Sequence, residues 1–455
     1  MKVSTSPWVS QLNKERPVVK LSHDITTDIT VVGAGIAGIS TAFFLLKNTN
    51  SKVVLIEAGR LAHGATGHNA GQIVSYFERP FKDMVKEFGV KKAAHAWAAI
   101  ESAWVLLMTM YTEAGLTIPL DRFTGHAGFS SEKQVLEFLE DAFERKNARL
   151  HVEEILIAAD APFLEQIPQK YAEIFKVAPR DEILSRLETK NSTFVACASH
   201  QKGTTNSALF CQEVVDYLLN KYKGRFSLYE NSPVKKVVLK KDHALLDVDV
   251  ATLTTAKVVL CTNGFEHFSI INEKGLDIDA KFHHLVTGVV GYMSGYLEDY
   301  TKPPTAISYF TDPDATEVDP YVYLTRREYK TDDNSRKSLI CIGGPEHDLD
   351  DREKYIGDYE YPEEAQKQID DFVHSTYLDP AKKDSQVEYQ FTWHGLMGYT
   401  PNGVRLIGAE PKNPVLLYNL GCNGIGILPS IYGGLRISQI LRGDKLEATI
   451  FDPKK

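Results

Sequence analysis

A β-branched apolar run at 28–32 ends on Gly33, and the period of the chain then changes: Ile36, Ile39, Phe43 and Leu46 recur at helical spacing up to Lys47. A second apolar run at 52–57 follows a short polar turn, so the order strand, helix, strand predicts a βαβ unit. Helical periodicity returns over 81–115, and again over 132–147 through Val135, Phe138, Leu139 and Phe143. A third helix is expected over 207–223, stopped by Gly224, which can adopt the left-handed conformation of a C-cap. Strands at 234–239 and 258–261 come next, and the runs at 284–293, 321–325 and 338–343 carry a sheet signal. The pattern closes with a strand at 415–419, a glycine-rich loop, and a helix over 429–441 ahead of Gly443.

A chain of 455 residues exceeds one ordinary core, so two domains are expected. The nucleotide-type segments alternate with unrelated ones, which implies a discontinuous cofactor domain at 24–80, 195–266 and 390–450. A substrate domain at 81–194 and 267–389 is inserted in two pieces. The expected class is α/β: a Rossmann-like unit beside a second unit built on a mixed or antiparallel sheet plus helices.

Composition narrows the functional classes. A hydrophobic share of 43% against 24% charged residues is a globular balance. The net charge of −9 repels a phosphate backbone, so nucleic acid is not an expected partner. Cys197, Cys211, Cys261, Cys341 and Cys422 are scattered without a CxxC or a Cys/His cluster at zinc spacing, so no metal site and no dithiol centre is expected. They read as reduced thiols of a cytoplasmic protein, and no run reaches the roughly 18 apolar residues of a membrane span.

Gly33-Ala34-Gly35-Ile36-Ala37-Gly38 has GxGxxG spacing between a strand and a helix, the context that gives the motif meaning. Gly33 permits the tight turn, Gly35 lets backbone approach a pyrophosphate at the positive helix end, and Gly38 allows close helix–strand packing. Glu57 closes the second strand about 20 residues later, the spacing of an acid that accepts from a ribose hydroxyl. The motif alone serves NAD or FAD, so an NAD-linked dehydrogenase stays an alternative on these residues. Two further stretches favour a flavin. Ala58-Gly59-Arg60 and the small-residue loop Gly64-Ala65-Thr66-Gly67-His68-Asn69-Ala70-Gly71-Gln72 can run alongside a bulky planar cofactor. Gly421-Cys422-Asn423-Gly424-Ile425-Gly426 precedes a second helix, whose positive end stabilises the anion of a reduced flavin.

In the order and spacing of these pieces, together with Val234, Thr262-Asn263-Gly264 and the stretch 393–408, the chain resembles the D-amino-acid oxidase superfamily of flavoenzymes. That superfamily includes glycine and sarcosine oxidases, dimethylglycine dehydrogenase and γ-glutamylputrescine oxidase. The resemblance implies FAD, a substrate sheet above it, and oxidation of a primary or secondary amine or amino acid. A hydride passes from carbon to flavin N5, and the resulting imine is hydrolysed. Oxygen or another acceptor takes the electrons. A flavin-binding protein without catalysis is the remaining alternative.

Where glycine-oxidase-like members place a carboxylate-clamping arginine, this chain has Met397, which cannot pair with a carboxylate. Either Arg326 or Arg327 substitutes, or the substrate is not a simple α-amino acid. His68 sits where dimethylglycine and sarcosine dehydrogenases link FAD covalently, whereas γ-glutamylputrescine oxidases have arginine there and hold FAD noncovalently; a plain polar contact is the ordinary reading. His283, His284, Trp393, His394 and Tyr399 are further candidates at the reacting centre. The polar run 345–348 reads as a solvated loop.

Overall fold

The computed structural model describes residues 5–273, 275–278, 286–312, 321–331, 333–349, 355, 360–378 and 386–454. Along the chain, Ile25–Val32 (β1) leads into Ile36–Asn48 (α1), Val53–Ile56 (β2) and Gln72–Val74 (β3). Phe81–Phe88 (α2), Val90–Ala114 (α3), Leu120–Phe129 (β4) and Glu132–Asn147 (α4) follow, then Ile155–Ala158 (β5), Phe175–Ala178 (β6), Arg180–Arg186 (α5) and Ala196–Thr205 (β7). After Ser207–Lys221 (α6) come Phe226–Tyr229 (β8), Val234–Leu239 (β9), Ala244–Val248 (β10), Ala251–Leu260 (β11) and Ser269–Asn272 (β12). Thr287–Asp299 (β13), Thr305–Phe310 (β14), Val322–Lys330 (β15) and Arg336–Leu349 (β16) form a run of long strands. Glu363–Phe372 (α7), Phe391–Tyr399 (β17), Leu406–Ala409 (β18), Leu416–Leu420 (β19) and Ile427–Arg442 (α8) complete the described elements.

The first sheet runs β12-β9-β10-β11-β1-β2-β8, with β19 beside β11 and β18 beside β19. Its centre is parallel: β1 pairs β11 and β2, β2 pairs β8, and β11 pairs β19. A parallel centre must be covered on both faces, which is why β2 and the last four residues of β1 are buried throughout. Helices α1, α6 and α8 pack Phe43, Leu46, Val214, Leu218, Ile431 and Ile437 into one core. On the other side Val237, Leu246, Leu253 and Tyr418 form a second.

The second sheet runs β17-β13-β16-β15-β14-β4-β7-β5-β6, with β3 on β7. The expected cofactor segments therefore split at their edges: 72–74, 196–205 and 391–399 hydrogen-bond in the second sheet, while 269–272 joins the first. The expected helix over 81–115 is two helices, because Gly89 takes φ 80° and ends α2. The expected run at 258–261 is the end of the much longer β11, which forms a hairpin with β10. Helix α6 starts at Asn206, whose side chain accepts from the N–H groups of Ala208 and Leu209, both at 3.0 Å. No helix among the described residues is long and apolar enough to cross a membrane.

Candidate active site

One continuous cavity of about 630 Å³ runs from the start of α1, past the small-residue loop, to the face of the second sheet. At its nucleotide end the local chemistry is dictated by glycine. Gly33 takes φ 103°, and a Cβ there would lie 2.7 Å from the Cys261 carbonyl oxygen; one on Gly38 would lie 1.8 Å from the Gly33 carbonyl oxygen. Only the bare backbone lets β1, β11 and α1 meet this closely. Glu57 Oε2 accepts from the Ala34 N–H at 2.8 Å, and Oε1 from the Gly59 N–H at 2.9 Å. The carboxyl thereby clamps the turn while lining the cavity, and burial pushes its pKa up. The Ile36 N–H, in the first turn of α1, donates to Thr66 Oγ1 at 2.9 Å, tying the loop to the helix end.

In that loop Asn69 is a staple. Its Nδ2 donates to Thr66 O and to Ser207 Oγ, each at 2.8 Å, and its Oδ1 accepts from the Gly71 N–H at 2.7 Å. His68 Nδ1 lies 3.0 Å from Gly64 O. A carbonyl only accepts, so the proton of this bond is on Nδ1; burial lowers the pKa of the ring. The loop rests on β17, where a Cβ at Gly395 would lie 2.2 Å from His68 O. Asn263, left-handed at φ 60°, accepts from the Cys422 N–H at 2.8 Å and so joins the 262–264 turn to the distal glycine-rich loop that opens α8.

The far end of the cavity follows from strand parity. On β17, Gly395, Met397 and Tyr399 share the cavity face; Tyr323 on β15 and Tyr321 just before it do the same, as do Gly291 and Met293 on β13. Glu346 on β16 stands opposite Gly291 and points into the cavity, and Glu78, between β3 and α2, faces it from the other wall. Burial raises Glu78 to about 7; Glu346, although exposed at the cavity rim, is raised to about 7 by desolvation of its carboxyl and by the charges of Glu78 and Asp348. Tyr321 donates its hydroxyl to Glu78 Oε1 at 3.2 Å, and the buried Lys202 draws the Glu78 pKa partly back down.

Many of the residues singled out from the sequence line this cavity: Gly33, Gly35, Ile36, Ala37, Glu57, Ala58, Ala65, Thr66, His68, Asn69, Ala70, Gln72, Val234, Thr262, Asn263, Tyr399, Gly424, Ile425 and Gly426. Others act behind it. Ala34 and Gly59 serve Glu57, Gly71 packs on Trp8, Gly264 packs on Val286, Gly421 takes φ 85°, and Asn423 accepts from the Thr400 N–H at 2.8 Å. Arg60 turns to Glu230 at 3.4 Å.

Four residues expected at the reacting centre are not among those that line the cavity. Arg326, one residue out of phase with Tyr323, projects from the opposite face of β15 and makes two bonds to Glu188, at 2.7 and 2.6 Å. Arg327 is in phase but too far along the strand; its guanidinium stacks 4.5 Å over the Trp8 ring. His394 is likewise out of phase with Gly395 and lies 3.1 Å from the Tyr355 hydroxyl, while Trp393 is fully buried against Trp8. His283 and His284 lie outside the described residues. The run 345–348, read as a solvated loop, belongs to β16 and contributes Glu346. Glu78 and Glu346 gave no sequence signal beyond being acids in polar stretches, although the alternation of Tyr321 with Tyr323 and of Gly395 with Met397 and Tyr399 did mark the faces on which a site could form.

A cavity that joins a GxGxxG helix end to an aromatic, acid-bearing sheet defines a flavin-dependent oxidoreductase as the class. The family described as FAD dependent oxidoreductase (DAO) matches residues 28–440, and the chain belongs to that family. FAD is its cofactor. Gamma-glutamylputrescine oxidoreductase of Escherichia coli (strain K12) is 36% identical over 90 residues, covering 20% of this chain and 21% of that protein, so the match spans about a fifth of its length. Among solved structures, glycine oxidase from Geobacillus kaustophilus superposes with TM-score 0.68 at 15% identity, covering 95% of this chain and 98% of that one. L-amino acid deaminase from Proteus vulgaris gives 0.65 at 15% identity, covering 94% and 96%. These two likenesses are of fold. The nicotinamide alternative does not survive the family assignment.

Proposed function

We propose that the protein oxidises the CH–NH bond of an amine to an imine, with water completing the hydrolysis, and that Glu78 takes the proton the substrate must lose. FAD, when bound, supplies the acceptor for the hydride. Gly33, Gly35 and Glu57 would hold its adenosine diphosphate end, and the small-residue loop and the start of α8 would hold its ring end, where the helix end favours negative charge.

The observation that carries this reading is the chemistry of the far end. An ammonium ion has no electron pair to release and must be deprotonated before its neighbouring carbon gives up a hydride. Glu78, held near 7, ionises within the physiological range and can take that proton. Tyr321, Tyr323 and Tyr399 exclude water and fix the substrate's orientation. The name of the curated relative points the same way, since γ-glutamylputrescine is an amine.

Anaerobic mixing of the yellow holoprotein with amines, N-methyl amino acids and polyamines tests the reaction: at least one class bleaches the flavin. If none does, the assignment fails and the inert flavoprotein reading replaces it.

A further inference from the structure

We propose that the substrate carries two ammonium centres, one that reacts and a second held by Glu346, so that the preferred class is a linear aliphatic diamine or polyamine rather than an α-amino acid. This rests on the amine-oxidising reading above and specifies what enters that site.

Three observations converge. The first is the row on the sheet face: Glu346 pairs with Gly291, and Gly291 with Gly395. Two glycines leave Glu346 as the one side chain in that row, with the His68 carbonyl seated on Gly395 and Met397 and the Tyr323 hydroxyl converging over Gly291, so Glu346 is the charged group at that end of the floor. The second is the charge balance. Lys202, bonded through Nζ to Ser308 Oγ at 3.1 Å, offsets Glu78 from behind. The charges acting on Glu346 are those of Glu78 and Asp348, both of which oppose its ionisation, so a cation entering the cavity is what relieves it. The arginine and lysine among the described residues lining the cavity are engaged elsewhere: Arg405 donates to Asn419 Oδ1 at 2.7 Å and to Asn419 O at 2.8 Å, and Lys235 pairs with Asp249 at 3.0 Å. Among the described residues, a substrate carboxylate would therefore meet two acids and no guanidinium or ammonium left without a partner. The third is the wall: Tyr321 and Tyr323 lie edge to face at 5.9 Å, and Met397 lies on the same face of the sheet beside Tyr323, a lining of aromatic and soft apolar groups that suits an ammonium on an alkyl stem.

The test is binding of 1,4-diaminobutane, n-butylamine and sarcosine to the anaerobic holoprotein at pH 8, followed by calorimetry and by the flavin difference spectrum. The diamine is expected to bind roughly tenfold more tightly than butylamine, with sarcosine weakest. Glu346→Gln should cut the diamine's advantage to about threefold or less, and Glu346→Asp should restore part of it. Equal affinities for diamine and monoamine, an advantage that survives in Glu346→Gln, or sarcosine binding more tightly than either would overturn the proposal. Bleaching is read separately. A diamine that binds through Glu346 yet leaves the flavin oxidised sinks the reaction assignment while sustaining the recognition.

Discussion

Glu78 shows how much of a carboxyl's behaviour is set by its surroundings. In water it would be ionised throughout the neutral range; burial raises it to about 7, against the lowering pull of the Tyr321 hydroxyl and of Lys202. The ionised form is the one that accepts a proton, so flavin reduction by a saturating amine should rise with pH through about 7. Glu78→Gln should abolish that limb and slow reduction by about 10²–10⁴-fold; a stopped-flow pH series in which wild type and variant keep the same profile would remove Glu78 from the mechanism. The same shift has a stability consequence. Both acids bind a proton more tightly folded than unfolded, so their contribution is full below about 4.5 and lost as pH rises through about 7. His68 gives a separate prediction: as a neutral ring making a polar contact, it leaves the flavin extractable, and acid precipitation should put the yellow colour in the supernatant. Colour retained in the pellet would mean a covalent bond. Neither Glu78 nor Glu346 was legible beforehand, because a carboxyl announces a role only through the groups that surround it, and those come from remote parts of the chain.

Strands carry the discrimination between residues that touch the site and those that do not. A period of two means that Tyr323 and Arg326 cannot share a face, and the same holds for Gly395 and His394. Arg326→Met should therefore leave amine affinity unchanged while lowering stability by about 2 kcal/mol, less than the 3–5 kcal/mol of a fully buried pair, since Glu188 retains 23% exposure. Denaturant unfolding beside an amine titration checks both halves. Met397→Arg makes the opposite prediction, for it would place a guanidinium on the cavity face of β17. Diamine binding should weaken at least tenfold and carboxylate-bearing amines should gain; unchanged preferences would mean that position 397 does not meet the substrate. Helix α1 and strand β2 were legible almost to the residue because their apolar periods are unbroken, whereas β1 begins three residues before the expected run, at Ile25, where Thr26, Thr27 and Asp28 interrupt the apolar pattern. Strands β4, β7 and β14 were not, since their polar and small residues are stabilised by neighbours across the sheet.

At the level of the assembled chain, the cavity exists because two sheets and three glycine-rich segments are brought together, and an N-terminal segment braces the result. Trp8 is fully buried; its Nε1 donates to Asn69 O at 2.6 Å, its ring meets Trp393 edge to face at 6.5 Å, and Gly71 has room for no side chain against it. Trp8→Ala should cost about 3–5 kcal/mol of core packing and loosen the 64–72 loop, seen as a lower melting temperature and a larger fraction of flavin lost on gel filtration. A variant that melts early but keeps its flavin would show that the brace serves the core alone. What the sequence determined by itself was the local part: the turn from β1 into α1, the acid at the end of β2, the glycine-rich opening of α8, and with them the flavin class. Those features are encoded by neighbours within a few tens of residues, whose steric and periodic demands can be read directly. The tertiary structure alone decided which acids line the cavity, which arginines are spent on ion pairs, and that Met397 has acids for neighbours, because these depend on contacts between residues from about fifty to more than two hundred positions apart.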